Sequence, residues 1–188
     1  DLLFEAAGGR VVAGIEICED LWVPIPPSAS QALAGATILL NPSASNETIG
    51  KNVYRRDLVV GQSGRCIAAY AYAGSGPTES TTDVVFGGHC LIAENSRILA
   101  ESPRIGDGHH PTRRDSYWIT ADVDVDLLSR DRRAMNTFGW DRARGKGRSR
   151  RISFELEAEM PGLRRVVPGS PFVPAEGIEL HRRCAEIF

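Results

Sequence analysis

Residues 11–24 read VVAGIEICEDLWVP, and the first seven decide the fold. Val11–Ile17 is apolar and rich in β-branched residues, with Glu16 as its one charge, which is the composition of a strand buried in a sheet. Cys18 closes that strand, and the proline-rich stretch Pro24–Pro27 makes a stiff loop after it. Ser28 can cap a short helix through Ala34 that stops near Gly35. Ala36–Leu40 reads as a second apolar strand, ended by the turn signal Asn41-Pro42. The polar loop SASNETIG (43–50) leads into a helix of about four turns, with Val53, Leu58 and Val59 as core contacts and Gly64 as its stop. Cys66–Ala73 is the third strand. Strand, helix, strand, helix, strand is the order of an α/β layered fold.

Beyond a Gly/Ser/Thr-rich loop at 74–83 the pattern changes. Residues 89–93 and 97–101 are short strands joined by ENS, a hairpin. Residues 117–125 alternate as another strand, and Asp126–Phe138 reads as a helix with basic residues near its middle and end. Residues 139–151 lack hydrophobic periodicity and suggest a surface loop. Ile152–Leu156 reads as one more strand. Four prolines in 161–188 suggest an exit linker.

The 188 residues suffice for one domain or a large piece of one. Apolar residues make up 42% and charged residues 24%, which excludes wholesale disorder and a collagen-like chain. No apolar run is long enough to span a membrane, and no secretory leader is visible; the widely spaced cysteines lead to the expectation of a reducing, cytoplasmic setting. The formal net charge of −2 points to no particular partner. It is unevenly spread, however: residues 104–151 hold 12 basic and 7 acidic side chains. The four cysteines, Cys18, Cys66, Cys90 and Cys184, form no CxxC pair, which argues against a zinc knuckle or a thioredoxin-type site.

Two features could carry chemistry. Cys18 ends a buried strand, where a side chain can be held rigidly and still face a pocket. A strand cysteine is also an ordinary core residue. Glu16, Glu19 and Asp20 lie within two residues of it, and carboxylates so close disfavour a thiolate. Any activating cation or base must therefore come from elsewhere in the fold. The four histidines, His89, His109, His110 and His181, carry no signature of a Cys–His hydrolase. The second feature is RARGKGRSRR (142–151), six of whose ten residues are cationic. It could contact phosphates, but it has no aromatic for base stacking, and a solvated loop explains it better. No phosphate loop, dinucleotide fingerprint or EF-hand spacing is present, so neither a cofactor site nor a metal site is expected.

The segment GIEICEDLWVP resembles the nucleophile segment of the nitrilase (carbon–nitrogen hydrolase) superfamily. More narrowly, an ordered set of stretches resembles the glutaminase domain of the glutamine-dependent NAD(+) synthetases. The set comprises ICEDLWVPIPPS, LLNPSASN, AAYAYAGSGPTESTTD, ITADVDVDLL with Arg133 and Phe138 beyond it, and PFVP. The resemblance implies an αββα four-layer sandwich, here N-terminally truncated, and a Glu–Lys–Cys triad. Cys18 matches the nucleophile that would attack the glutamine side-chain amide. Glu19 and Trp22 would line the glutamine pocket, with the Glu19 N–H as one oxyanion donor. Ser45 would contact the substrate's amino-acid end, with Lys51 a further binding residue.

The family's glutamate and lysine lie far upstream of its cysteine, and only seventeen residues precede Cys18 here. The expectation is a piece of a longer enzyme: residues 1–160 as the C-terminal part of the glutaminase domain, and 161–188 as a linker toward a synthetase domain. The parent would make NAD from deamido-NAD, using ATP with Mg, and would form a homo-oligomer. The piece alone would be inactive and would bind neither nucleic acid nor membrane. Two alternatives are a stand-alone nitrilase-superfamily amidase and a non-enzymatic arginine-rich binding module.

Overall fold

The computed structural model describes residues 2–103, 118–144, 149–156, 162–166 and 177–187. Two compact units divide the chain, Asp1–Ala158 and Glu159–Phe188. In the smaller one, where the sequence suggests a linker, Gly177–Ile187 forms a helix (α5), with Arg182 and Glu186 paired one turn apart at 3.3 Å.

The larger unit is built on a seven-stranded sheet. Its strands are β1 (Leu2–Ala6), β2 (Val12–Ile15), β3 (Ile38–Ser43), β4 (Ala69–Gly74), β5 (Cys90–Glu94), β6 (Arg97–Glu101) and β7 (Arg150–Phe154). They lie in the order β6-β5-β4-β3-β2-β1-β7. β2, β3 and β4 are parallel, connected through the helices α1 (Pro27–Leu33) and α2 (Lys51–Cys66). The predicted strand–helix alternation is therefore present, as is the hairpin β5–β6. β1 is a strand that sequence reading missed. It pairs antiparallel with β2 across a tight turn whose Gly8 and Gly9 both have positive φ, the conformation in which a side chain is strained.

Several boundaries differ from expectation, each for a local reason. β3 runs on through Asn41-Pro42 instead of turning there. β2 ends at Ile15, so no ladder partner on that side needs the N–H that Pro42 lacks. α1 starts at Pro27, and Ser28 is buried inside it rather than capping it. α2 does not stop at Gly64 but ends at Ile67, a left-handed residue with φ 46°. Gly64 serves a different purpose: a Cβ there would collide with the Ser96 Oγ at the tip of the β5–β6 hairpin. Val53 is exposed, while Val59 is fully buried. Cys66 belongs to α2, so β4 begins only at Ala69.

Residues 118–124 have no regular structure where a strand is predicted, and Tyr117 lies outside the described residues. The expected helix 126–138 is two helices, α3 (Val125–Ala134) and α4 (Asn136–Arg144), broken at Met135. The expected loop 139–151 is accordingly helical to Arg144 and a strand from Arg150, with 145–148 outside the described residues.

Alternate residues of each strand face opposite sides. One face buries Val12, Leu39, Tyr70, Tyr72, Leu91 and Ala93 against Ala32 of α1 and Val59 and Cys66 of α2. The other face is also apolar, as in strands covered on both sides; Leu128 of α3 packs over Ala69, and the rest is partly open among the described residues. Ile15, Leu40, Ala71, Ala73 and Ile92, with Trp118 and Ile119, line a cavity of about 510 Å³ there.

Arg132 of α3 ties the two helices to this sheet. Its guanidinium donates to the carbonyl oxygens of Ala32 (3.4 Å) in the last turn of α1, Ala36 (2.6 Å) in the link to β3, and Cys66 (2.8 Å) and Ile67 (3.0 Å) at the end of α2. Helix C-termini leave carbonyls without partners, and a buried cation is a strong donor to them. Phe138 covers the guanidinium at 5.0 Å. Burial lowers the Arg132 pKa to about 10, still charged at neutral pH. Arg132→Met should cost about 2–4 kcal/mol in denaturant unfolding, because several carbonyls lose their donor at once. A variant within about 0.5 kcal/mol of the parent would show that water caps both helix ends equally well.

Candidate active site

The site forms at the C-terminal ends of the parallel strands, where loops following β2, β3 and β4 converge. β2 passes through Glu16 and Ile17 to Cys18, which opens a 3-10 turn, Cys18–Trp22. Cys18 has φ 51°, a left-handed conformation that costs a non-glycine residue roughly 1–3 kcal/mol. The turn is closed on itself: Asp20 accepts the Ile17 N–H at 2.8 Å and returns its own N–H to the Ile17 carbonyl at 3.1 Å. The Cys18 side chain is half-buried.

Beneath the turn lies a buried polar chain. The Cys18 N–H donates to Asn41 Oδ1 at 3.1 Å, and Asn41 Nδ2 donates to the Tyr70 hydroxyl at 3.0 Å. Tyr70 donates to Glu16 Oε1 at 2.5 Å, and Glu16 Oε2 accepts the Ser28 N–H at 2.7 Å. Glu16, Asn41 and Tyr70 are at most 2% exposed. Burial, then the neighbouring Glu16 carboxylate, pushes the Tyr70 phenol far above its ordinary range, so it stays a donor. Glu16 is thus engaged on both oxygens. It is a structural acceptor, despite standing two residues from the cysteine.

The other residues singled out from sequence are placed as follows. Trp22 stacks on Tyr54 with ring centroids 5.5 Å apart, and Lys51 Nζ sits 6.0 Å from the Trp22 ring. The structure therefore brings Trp22 and Lys51 together, and Lys51 donates to Asn46 at 2.6 Å. Ser45, one residue before Asn46, is buried close to the Tyr72 phenol. Glu19 is exposed, and its carboxylate takes no hydrogen bond among the described residues. Cys66 is a core residue whose thiol burial pushes up to about 11.

Sequence reading missed Asn41, Tyr54, Arg55 and Tyr70. Asn41 carries a signal, a lone amide on the inward face of an otherwise apolar strand, but beside Pro42 it reads as a turn. Arg55, 1% exposed, is more surprising. It pairs with Glu47 at 2.8 Å, meets His89 Nδ1 at 3.2 Å and lies over the Tyr72 ring at 5.6 Å. His89 Nε2 in turn reaches Glu101 at 3.0 Å, and Arg56 holds the other Glu101 oxygen at 3.1 Å. This network secures the start of α2, which carries Lys51, to the strands beneath it. Among the described residues no cluster of three or more His, Cys, Asp or Glu could hold a metal ion, and no helix is long and apolar enough to cross a membrane.

No protein-family model matches the chain. Its sequence is 46% identical over 194 aligned residues to a glutamine-dependent NAD(+) synthetase of Mycobacterium leprae, covering 100% of this chain and 28% of that one. The protein of the same name from Mycobacterium tuberculosis is 45% identical with the same coverage. The chain thus spans little more than a quarter of the length of these curated relatives. Among solved structures, a carbon–nitrogen hydrolase from Helicobacter pylori superposes with a TM-score of 0.52 at 18% identity, over 69% of this chain and 45% of that one. At that identity the likeness is one of fold.

The Glu101 carboxylate gives the network a pH dependence. Burial works to raise its pKa, but the hydrogen bonds from His89 and Arg56 outweigh that and lower it below its ordinary 4.5. A group depressed in the folded state contributes stability above its unfolded value, and that contribution disappears as pH falls through the folded value. Glu101→Gln should therefore lower Tm at pH 7 and flatten the further loss of Tm in acid below about pH 4.5. Parallel acid limbs for variant and parent would exclude Glu101 as a contributor.

Proposed function

We propose that this chain, a partial nitrilase-type domain homologous along its whole length to the glutamine-dependent NAD(+) synthetases, belongs to a glutaminase that uses Cys18 as its nucleophile. The observation that carries the reading is the backbone at Cys18. A non-glycine residue held at φ 51° at the end of a buried strand is a costly arrangement, and such arrangements cluster where a side chain must be presented to a substrate.

In this reading the Cys18 thiolate attacks the side-chain amide carbon of glutamine. The tetrahedral oxyanion is met by the Glu19 N–H, the amide nitrogen leaves protonated as ammonia, and a γ-glutamyl thioester remains. Water then hydrolyses the thioester to glutamate and returns the thiol. Trp22, Ser45 and Lys51 bind the substrate, with Tyr54 backing Trp22. The base and the cation that form the thiolate come from outside the described residues in this reading; Glu16 is not that base, since both its oxygens are committed to Tyr70 and Ser28. The partly open apolar face of the sheet supports the same division. In the αββα architecture that face packs on a second sheet, which the rest of the glutaminase domain supplies. The parent enzyme passes the ammonia to a synthetase domain, which amidates deamido-NAD at the expense of ATP with Mg.

The test is glutamine-dependent ammonia release by a polypeptide that carries this chain together with the parent's remaining domains. Cys18→Ala should reduce it by about 10³-fold or more, with NAD formation from free ammonia retained. The 188-residue chain by itself should release none. Turnover that survives Cys18→Ala in the long polypeptide would remove Cys18 from the reaction.

A further inference from the structure

Cys18 adopts its left-handed turn without the conformational freedom of glycine, so something must hold it there. The backbone ladder does not, because β2 ends at Ile15. The bonds from Asp20 bracket Ile17 and leave the Cys18 N–H without a backbone acceptor. Asn41 supplies what is missing. Its Oδ1 accepts the Cys18 N–H at 3.1 Å, and its Nδ2 lies 3.4 Å from the Cys18 carbonyl oxygen. One amide plane thus meets the nucleophile's peptide groups on both sides of its Cα.

Only one orientation of the amide can do this, because the Cys18 N–H can only donate and its carbonyl can only accept, and Tyr70 makes the same demand from beneath. A phenol has one proton to give, and Tyr70 gives it to Glu16. Its oxygen can only accept from Asn41, so Nδ2 must face Tyr70 and Oδ1 must face the Cys18 N–H. Glu16 is fixed in its turn by the Ser28 N–H, and Gln62 Nε2 donates to the Ser28 hydroxyl at 2.9 Å. From the Cys18 N–H through Asn41 Nδ2 to the Tyr70 hydroxyl, the chain of donors runs toward Glu16. The carboxylate therefore takes the Tyr70 proton, and Tyr70 in turn anchors the Asn41 amide in the orientation that the Cys18 backbone requires.

We propose that Asn41 is the positioning residue for Cys18, holding its backbone in the left-handed turn that presents the thiol, and that Tyr70 and Glu16 act through Asn41 by anchoring its amide in place. The inference rests on Cys18 being the nucleophile but not on glutamine being its substrate.

Peptide-resolved labelling of the full chain with iodoacetamide measures the Cys18 rate directly. Exposed Cys184 in the same chain serves as the internal reference, and thermal unfolding checks that each variant folds. Asn41→Leu removes both amide groups at similar size, and Tyr70→Phe removes one buried oxygen. In each variant the Cys18-to-Cys184 rate ratio should fall by more than about threefold, and for Asn41→Leu on the order of tenfold. The double variant should fall no further than Asn41→Leu alone, because both changes act through one contact. A purely structural role would lower Tm and leave the ratio in the folded protein within about threefold of the parent; that result, or a rise in the ratio, overturns the proposal. If Asn41→Leu does not fold, Tyr70→Phe decides by the same criterion. Labelling needs no substrate, so a clamp that passes this test while the polypeptide carrying the parent's remaining domains leaves glutamine unhydrolysed would sink the glutaminase reading alone.

Discussion

The parallel register of β2, β3 and β4 is the constraint on which the candidate site depends. Ile15 lies opposite Leu40, and Leu39 opposite Tyr70. With those pairs set, Glu16, Asn41 and Tyr70 all fall on the helix-covered face at neighbouring positions. A slip of one residue in any strand would turn its polar member to the other face and leave the remaining two buried without partners. The apolar residues around them enforce the same register, since Leu39 and Tyr72 would be turned out by that slip. Packing and polar satisfaction therefore select one alignment, and the cysteine inherits its place from it.

Sequence reading reached the layered fold because the elements that define it announce themselves locally. β-branched apolar runs, a helical period after the 43–50 loop and the hairpin at 94–96 are each legible within about ten residues. It failed where one residue type has two uses. Asn41-Pro42 ends many strands, yet here a missing ladder partner lets β3 continue. Gly64 often stops a helix, yet here it makes room for Ser96. β1 went unread because a five-residue strand holding a glutamate has little periodicity of its own. The 118–124 segment shows the converse: its alternation is strand-like, but its backbone makes no ladder. Asp124 instead caps α3 by accepting the Leu127 N–H at 2.9 Å.

The candidate site was legible to a lesser degree, and the reason is physical. Cys18 stands out by position and by resemblance, and Trp22 and Lys51 lie beside each other. The residues that hold them were not legible, because their roles arise only when distant segments meet. Tyr70 lies 54 residues from Glu16, and His89 lies 34 residues from Arg55. No local pattern encodes a hydrogen bond across such separations. A buried polar residue on an apolar strand is the one hint available, and it has value only once the register is known.

Arg132 has a consequence for the order in which this domain is completed. Its carbonyl partners lie 65 to 100 residues earlier in the chain. During synthesis, β2 through β4 and both connecting helices emerge well before it, with the Ala36, Cys66 and Ile67 carbonyls still lacking the guanidinium that joins them. The left-handed residue Ile67 at the end of α2 has no side-chain donor until α3 docks. The parallel core can gather early, but its two helices are locked in place by a single late arrival. Closing a loop of that length is slow relative to forming a helix or a hairpin. Maturation of the domain should thus proceed in two stages, with a loosely capped α/β core preceding the docked form.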